Sequence, residues 1–366
     1  MYSMRGVQIT TTLIAIATLA VAATVAITLM VVGVTSADLP SATASVTEQN
    51  GVVVASIAVL RGALYGVALM YRAPDGSMWY ARPIYCLGVQ TRTTATSALL
   101  GKPLYAGQGI TCAFQMWYPA AGDYAFDLLG FGGRSAVSIA RGFVTAARAN
   151  GYSGQLPAGN LYGVGQTPSI GLTRNGYNFT SISTYWPGRG YLAVEVKWGY
   201  TNSTCVADGL YVSLFVPQSA RSLVAPSDEG LGVLPFGGAD YVPAGGPLQL
   251  FVQLNPYDYG REDGSFEFAV MNSSGGRGVV RPAGFNGLKS WPTEIWTTYL
   301  LYNSSSNTLF VEWTAPGAFS EAYTYNLTSY GFARPPAGNY AVVIGVANGG
   351  CTADWRVYDY AIASGG

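Results

Sequence analysis

The sequence predicts a long hydrophobic N-terminal α-helix followed by an all-β head, an antiparallel β-sandwich of Ig-like type built as two sandwiches. Residues 7–37 contain no charged side chain. From residue 51 onward, short runs rich in Val, Tyr, Phe, Trp and Thr are separated by Gly, Pro, Asn and Asp, which is typical of β-strands and turns. The chain has 366 residues, which is enough for two domains.

The uncharged segment is longer than common targeting signals. As a helix, residues 7–37 would extend about 46 Å, whereas a bilayer core needs roughly 20 residues and a signal peptide has an apolar region of about 7–15. Arg5 precedes the segment and Asp38 is the first charge after it, so the positive-inside rule places Met1 in the cytoplasm and the rest outside. A single-pass anchor and a removed signal peptide are the alternatives.

Small side chains run along this segment. Ala15, Ala20, Ala23 and Ala26 would leave a slim helix surface. Slim surfaces let helices approach closely in an apolar setting. The pattern therefore predicts packing of this helix against its own copies.

Near the start of the chain, Met4-Arg5-Gly6 precedes the apolar stretch that starts Val7-Gln8-Ile9-Thr10. This pattern resembles the leader of archaeal type IV pilins and archaellins. The resemblance implies leader cleavage after Gly6, with Arg5 and Gly6 before the cut and Val7 as the first mature residue. It also implies a homopolymeric helical filament with helices in its core and β heads outside, inserted in the cytoplasmic membrane as a precursor and used for adhesion.

The remainder divides into two predicted β domains after a leader-like segment (1–6) and the helix (7–37). The first sandwich is predicted over 38–170 and the second, outer one over 171–366, because 151–171 is rich in Gly and Pro. Asp75-Gly76 predicts a hairpin turn. One short helix is predicted over 135–151, since Val137, Ala140, Val144 and Ala147 recur at helical spacing before Asn150-Gly151.

The cysteines indicate an oxidising compartment. Cys86, Cys112, Cys205 and Cys351 are an even set, which suggests two disulfides in an extracellular protein. Three pairings can be formed. We predict Cys86–Cys112 and Cys205–Cys351, because each pair then stays within one half of the chain; inert thiols are the alternative.

N-glycosylation is predicted in the second half of the chain. The acceptor pattern Asn-X-Ser/Thr marks surface positions in secreted proteins. It occurs at Asn178, Asn202, Asn272, Asn303 and Asn326. Accidental matches are the alternative.

Charge and the lack of histidine exclude several functions. The chain has 19 basic and 19 acidic residues, so no electrostatic attraction to nucleic acid is expected. It has no His, which removes the commonest general base and metal ligand. We predict no enzyme, no cofactor and no metal. The alternatives are a carboxylate pair among Glu195, Glu267 and Glu312, and a Ca²⁺ loop over 255–264 that contains Asp258, Glu262 and Asp263.

Aromatic residues stand beside proline at three places, 117–119, 185–187 and 290–292. Exposed aromatic rings can stack on sugars, and buried ones form cores or interfaces. The main functional prediction is thus a structural subunit of an extracellular pilus-like filament that attaches to surfaces or glycans. The alternative is a membrane-anchored, monomeric, β-rich surface or coat protein with a sugar-binding role.

Overall fold

The chain is built of β-strands in a computed structural model. The structure describes residues 39–133, 135–150, 154–165, 171–172, 176–201, 210–217, 250–255, 267–271, 277–280, 293–315, 319–348 and 354–365. Two compact units are found, the first ending at Ala158 and the second spanning Gly159–Gly366.

The first unit contains two antiparallel sheets. Its strands are β1 (Ser41–Gln49), β2 (Val52–Arg61), β3 (Ala63–Arg72), β4 (Met78–Tyr80), β5 (Arg82–Leu87), β6 (Thr91–Thr93), β7 (Ala98–Tyr105), β8 (Gly109–Gln115), β9 (Gly122–Gly132), β10 (Ser135–Ala146) and β11 (Leu156–Pro157). One sheet has the order β1-β2-β8-β5. The other has the order β10-β9-β3-β4-β11, with β7 also on β3 and β6 on β7.

Buried and exposed side chains alternate along these strands, and the buried ones form the core of the first unit. In β2, Val53, Ala55 and Ile57 are buried, while the residues between them are partly or fully exposed. Successive side chains of a strand point to opposite faces. The predicted Asp75-Gly76 turn connects β3 to β4, where Asp75 Oδ1 accepts a hydrogen bond from the Ser77 amide at 3.0 Å.

The second unit also contains two antiparallel sheets. Its strands are β12 (Gly159–Gly165), β13 (Gly171–Leu172), β14 (Gly176–Trp186), β15 (Tyr191–Thr201), β16 (Leu210–Pro217), β17 (Leu250–Asn255), β18 (Glu267–Met271), β19 (Arg277–Val280), β20 (Thr293–Asn303), β21 (Thr308–Ala315), β22 (Phe319–Asn326), β23 (Gly338–Asn348) and β24 (Asp354–Gly365). One sheet has the order β12-β24-β15-β20-β21-β22, with β13 also on β24. The other has the order β14-β23-β16-β17-β18-β19.

The core of the second unit is filled from both sheets. Val194, Val196 and Leu300 come from the first sheet, and Val212 and Ile344 come from the second. Buried indoles from β15, β20 and β24 stack toward one end of this core, with Trp198 and Trp355 at 5.6 Å between ring centroids. Burying these large aromatic side chains contributes hydrophobic stabilisation to this unit.

The short helix predicted over 135–151 is wrong. Residues Ser135–Ala146 form β10, which pairs antiparallel with β9. The register shifts between Ser138 and Ala140. This bulge separates the buried-face residues Val137 and Ala140 by three positions instead of two, so a strand acquires apparent helical spacing.

The predicted long N-terminal α-helix is also corrected. The described residues contain no α-helix, and their one helical element is a 3₁₀ turn at Leu327–Tyr330. None of their helices has the length and apolarity needed to cross a bilayer. An uncharged run indicates only that a segment avoids water, and the fold is determined by the period-two runs that follow it. The predicted segments 1–6 and 7–37 lie outside the described residues.

The boundary between the units falls earlier than predicted. We predicted the change of domain at residue 170, inside the Gly- and Pro-rich stretch. The structure divides after Ala158, and β12 (Gly159–Gly165) already pairs with the last strand, β24. Some Gly residues of this stretch therefore lie in a strand, although a glycine-rich sequence does not predict one.

Candidate functional site

The core of the second unit opens into a cavity of about 210 Å³. Its lining is mainly apolar and comes from parts of the chain that are far apart in sequence. The lining residues are Phe215, Tyr302, Asn307, Leu327, Phe332, Ala333, Arg334, Pro335, Pro336 and Tyr340.

Aromatic rings form the floor of the cavity. The Phe215 ring packs edge-on against Tyr302, with centroids 4.9 Å apart, and against Tyr340 at 5.7 Å. Trp186 lies behind them, with its ring centroid 5.3 Å from that of Phe215. Edge-to-face arrangements of this kind are favourable because the positive edge of one ring meets the negative face of the next. Strand pairing brings Phe215 on β16 close to Tyr340 on β23, and Tyr302 on β20 packs against Phe215 from the other sheet.

Two of the lining residues have unusual backbone conformations. Phe215 has φ 57° and Asn307 has φ 50°, and the other non-glycine residue of this kind in the described part of the chain is Asn50 in the first unit. A bulky residue at positive φ is rare. Phe215 reaches this conformation in a bulge, because the register of β16 on β23 shifts between Ser213 and Val216. Strained residues of this type concentrate at functional sites.

A proline-containing loop, residues 332–336, forms one wall of the cavity. Three side chains donate hydrogen bonds to its carbonyl oxygens. The donors are Trp186 Nε1 to Pro335 at 3.1 Å, Asn307 Nδ2 to Phe332 at 3.0 Å, and Tyr340 Oη to Pro336 at 3.0 Å. Because the carbonyls are fixed and two residues are proline, the wall is formed before any ligand arrives.

Polar groups of the cavity have defined roles. The Tyr302 hydroxyl donates to Asn307 Oδ1 at 3.1 Å, and burial raises the pKa of Tyr302 to about 12, against an opposing effect of Arg334. Asn307 Nδ2 also donates to Thr328 Oγ1 at 3.0 Å. Arg334 is exposed at the rim, where its Nη2 donates to the Ser305 carbonyl at 2.8 Å. The cavity thus has a neutral aromatic floor and a cationic rim.

Two predicted glycosylation sites lie beside this cavity. Strand register places Asn303 opposite Thr308, and Thr308 opposite Asn326. Asn303 Oδ1 accepts from the Ser305 amide at 2.9 Å and from the Ser305 hydroxyl at 2.8 Å. Asn326 is exposed and caps the 3₁₀ turn by accepting from the Thr328 amide.

The other predicted glycosylation sites fall elsewhere. Asn178 is half-buried on β14. Asn202 and Asn272 lie outside the described residues. Glycosylation at all five positions stays a prediction.

One predicted disulfide is present in the first unit. Cys86 and Cys112 are bonded and lie opposite each other on β5 and β8. Cys205 and Cys351 lie outside the described residues. The leader residues Arg5, Gly6 and Val7, and the helix-packing residues Ala15, Ala20, Ala23 and Ala26, lie outside them as well.

Two carboxylates considered for catalysis share one face of a sheet. Glu195 lies opposite Tyr299 on β20, and Tyr299 lies opposite Glu312 on β21. Strand spacing puts their backbones about 10 Å apart. Glu267 is on β18 of the other sheet. The 255–264 loop extends beyond Asn255, the end of β17, into residues that the structure does not describe, and no group of three or more metal-ligating side chains occurs among the described residues.

The aromatic residues beside proline are divided between core and surface. Trp186 is 1% exposed and Tyr185 is 48% exposed. Tyr118 is buried, and Trp117 packs edge-on against Trp79 at 5.0 Å. The residues 290–292 are outside the described part of the chain. Trp186 thus contributes to the cavity by anchoring its wall, not by stacking on a ligand.

Comparisons with known proteins return structures but no sequence family. Neither a protein-family model nor a curated protein matches the chain. A lectin from Bauhinia forficata in complex with GalNAc is similar at 12% identity and a TM-score of 0.35, covering 56% of this chain and 97% of that one. A legume lectin-like domain from Entamoeba histolytica matches at 13% identity and a TM-score of 0.32, covering 56% and 91%. At such TM-scores the matches carry no argument about what this chain binds.

The identification as an archaeal type IV pilin or archaellin-like subunit is wrong. The described residues contain strands and one 3₁₀ turn, and nothing in them points to a type IV pilin. The motif that carried the identification, a basic residue and Gly before an apolar run, is short and recurs by chance. The pilus, archaellum and filament assignments are withdrawn with it.

Proposed function

We propose that this chain is an extracellular, β-rich surface protein whose second unit binds carbohydrate in the aromatic cavity. The observation that carries the proposal is the cavity itself, a pre-formed pocket with three aromatic rings at its floor and a loop wall held by three hydrogen bonds. Ligand sites are concave, largely apolar and furnished with a few fixed polar groups.

The size and lining of the cavity suit one sugar ring. Its volume of about 210 Å³ is below the roughly 300–1,000 Å³ of sites for drug-sized ligands. A pyranose has an apolar face of C–H groups and an edge of hydroxyl groups. The apolar C–H face can pack on the aromatic surface of Phe215, Tyr302 and Tyr340. The hydroxyl groups can accept hydrogen bonds from Arg334 at the rim.

Two further features support a location outside the cell. The Cys86–Cys112 disulfide favours an oxidising compartment. Asn326, a predicted glycosylation site, has an exposed side chain. In this proposal the uncharged segment 7–37 holds the protein at a membrane, since it contains no charged side chain.

Saturation-transfer NMR with the full chain and a panel of monosaccharide glycosides tests the carbohydrate proposal. Ala333 lines the cavity and is exposed, so Ala333→Trp should fill the cavity from its rim and abolish the signals. Ala322→Trp adds the same ring at an exposed position on β22 and should leave them unchanged. Absence of sugar signals from the wild type, or equal signals from wild type and Ala333→Trp, would overturn the proposal.

Cell fractionation tests the tether separately. The full chain is expected in the membrane fraction, from which detergent, and not salt, releases it. A chain starting at Leu39 is expected in the soluble fraction, because it lacks the uncharged segment. Retention of that shortened chain on membranes would show that the segment is not the tether.

A further inference from the structure

We propose that the cavity selects sugars that carry a carboxylate, a class that includes the uronic acids, and that Arg334 is the specificity-determining residue. The inference rests on the proposed carbohydrate-binding function and names its ligand class. It is argued from the place, restraint and charge of one side chain.

Arg334 is held at the rim of the cavity. It follows Phe332 and Ala333 and precedes Pro335 in the anchored wall, so its backbone is fixed from both sides. Its Nη2 donates to the Ser305 carbonyl at 2.8 Å. A guanidinium group has five donors in a planar fork, so one hydrogen bond orients the group and leaves the other donors for a ligand.

The charge of Arg334 is not neutralised by the cavity. The lining contains one cation and no Asp or Glu. Within the described part of the chain, the Arg334 side chain has one hydrogen bond, to a carbonyl, and no ion pair. The guanidinium also acts on the floor, since Arg334 lowers the pKa of Tyr302 against the larger effect of burial. Among the described residues, therefore, nothing compensates the positive charge that a ligand in the cavity would meet.

A carboxylate fits this arrangement better than other anions. Arginine pairs with carboxylates through two parallel hydrogen bonds, which fixes orientation as well as charge. The single cation of the lining matches a singly charged group. A phosphate ester carries close to two negative charges at neutral pH, and one guanidinium group would leave part of that charge unpaired.

Titration calorimetry with the full chain tests the inference through three matched ligands, methyl glucuronide, its methyl ester and methyl glucoside. The acid is expected to bind at least tenfold more tightly than the ester or the glucoside, since a charge-assisted pair is worth about one tenfold step or more. Arg334→Gln should remove this preference and leave neutral-sugar binding in place. Arg356→Gln, at an exposed position on β24, should keep the preference.

The outcomes separate the two proposals. Binding of all three ligands with equal affinity, unchanged by Arg334→Gln, would overturn the acidic-sugar inference and leave carbohydrate binding intact. If the chain binds none of these three ligands and no other glycoside, both proposals are overturned. Tighter binding of a sulfated glucoside than of the glucuronide would show anion selection without carboxylate selection and would also overturn the inference.

Discussion

The indole nitrogen of Trp186 donates a hydrogen bond to the carbonyl oxygen of Pro335 at 3.1 Å. Trp186 is the last residue of β14, and Pro335 lies in the loop that precedes β23, the strand with which β14 pairs. The bond thus connects the aromatic core to the loop that forms the wall of the cavity. It makes the shape of the cavity depend on a residue that a ligand never reaches.

Replacing Trp186 with Phe should loosen this wall. We expect Trp186→Phe to lower the free energy of unfolding of the second unit by about 1–3 kcal/mol, because a hydrogen bond and buried volume are lost. Amide exchange of residues 332–334 should become faster, and sugar binding weaker. Trp198→Phe is the matched control, because it removes an indole that donates to Thr298 Oγ1 at 2.8 Å away from the cavity. Equal loss of binding in both variants would mean that general destabilisation, and not the wall, is responsible.

Asn307 should be among the most sensitive positions of the second unit. Asn307→Ala removes the groups that bond Tyr302, Thr328 and Phe332 and leaves an alanine at φ 50°. We expect a loss of about 3 kcal/mol, roughly 1 kcal/mol from the backbone and the rest from the hydrogen bonds. Asn50→Ala, at an exposed residue with φ 53°, should cost only about 1 kcal/mol. Urea denaturation measures both, and similar losses would show that the backbone conformation alone matters.

The sequence allowed the strands to be predicted because their period-two pattern is local. The run 52–60 corresponds to β2 and the run 63–73 to β3, and the Asp75-Gly76 turn is found where it was predicted. The Cys86–Cys112 pair follows from proximity along the chain. Each of these features depends on residues that are close together in sequence.

The cavity could not be predicted from the sequence, because no local sequence pattern indicates it. Phe215, Tyr302 and Tyr340 are ordinary strand residues in the sequence, and only the pairing of β16 with β23 brings Phe215 to Tyr340. The bulge that gives Phe215 its positive φ leaves no sequence mark such as glycine. The same effect in β10 produced the false helix, since a bulge changes the spacing of buried residues without changing their type. Pro335-Pro336 beside Arg334 was the one visible signal of a rigid loop.

Loss of the disulfide should affect the first unit and not the cavity. Cys86 and Cys112 are separated by 26 residues, and cross-linking a loop of that size stabilises the folded state by about 3 kcal/mol. The double variant Cys86→Ala/Cys112→Ala should show this loss in the first unit's unfolding transition. Sugar binding should be unchanged, since the cavity is lined only by residues of the second unit. Weaker binding would indicate that the two units are energetically coupled.

Substitutions at two neighbouring positions on β10 should change stability to different extents. Phe143 is 65% exposed and Val144 is 2% exposed, because adjacent residues of a strand face opposite sides. Phe143→Thr should change the free energy of unfolding by less than about 0.5 kcal/mol. Val144→Thr places a hydroxyl in the core and should cost about 1–3 kcal/mol. Thermal denaturation of both variants checks this, and equal effects would contradict the strand assignment.

Alkaline pH should unfold the second unit partly through Tyr302. Burial raises the pKa of Tyr302 from 10.0 to about 12, so the folded state holds the phenol proton more tightly than the unfolded state. The stability that this group contributes is fully present below pH 10.0 and is lost as the pH rises through about 12. Tyr302→Phe has no proton to lose at this position. Its free energy of unfolding should therefore fall less steeply with pH across this window.

The baseline stability of Tyr302→Phe will be lower, because the hydrogen bond to Asn307 Oδ1 is lost, so the slope against pH is the informative quantity. Tyr185→Phe, which changes an exposed tyrosine of the same unit, should keep the wild-type slope. If Tyr302→Phe also keeps it, then the Tyr302 phenolate forms without cost in the folded state. The burial that raises the pKa of Tyr302 would then be contradicted.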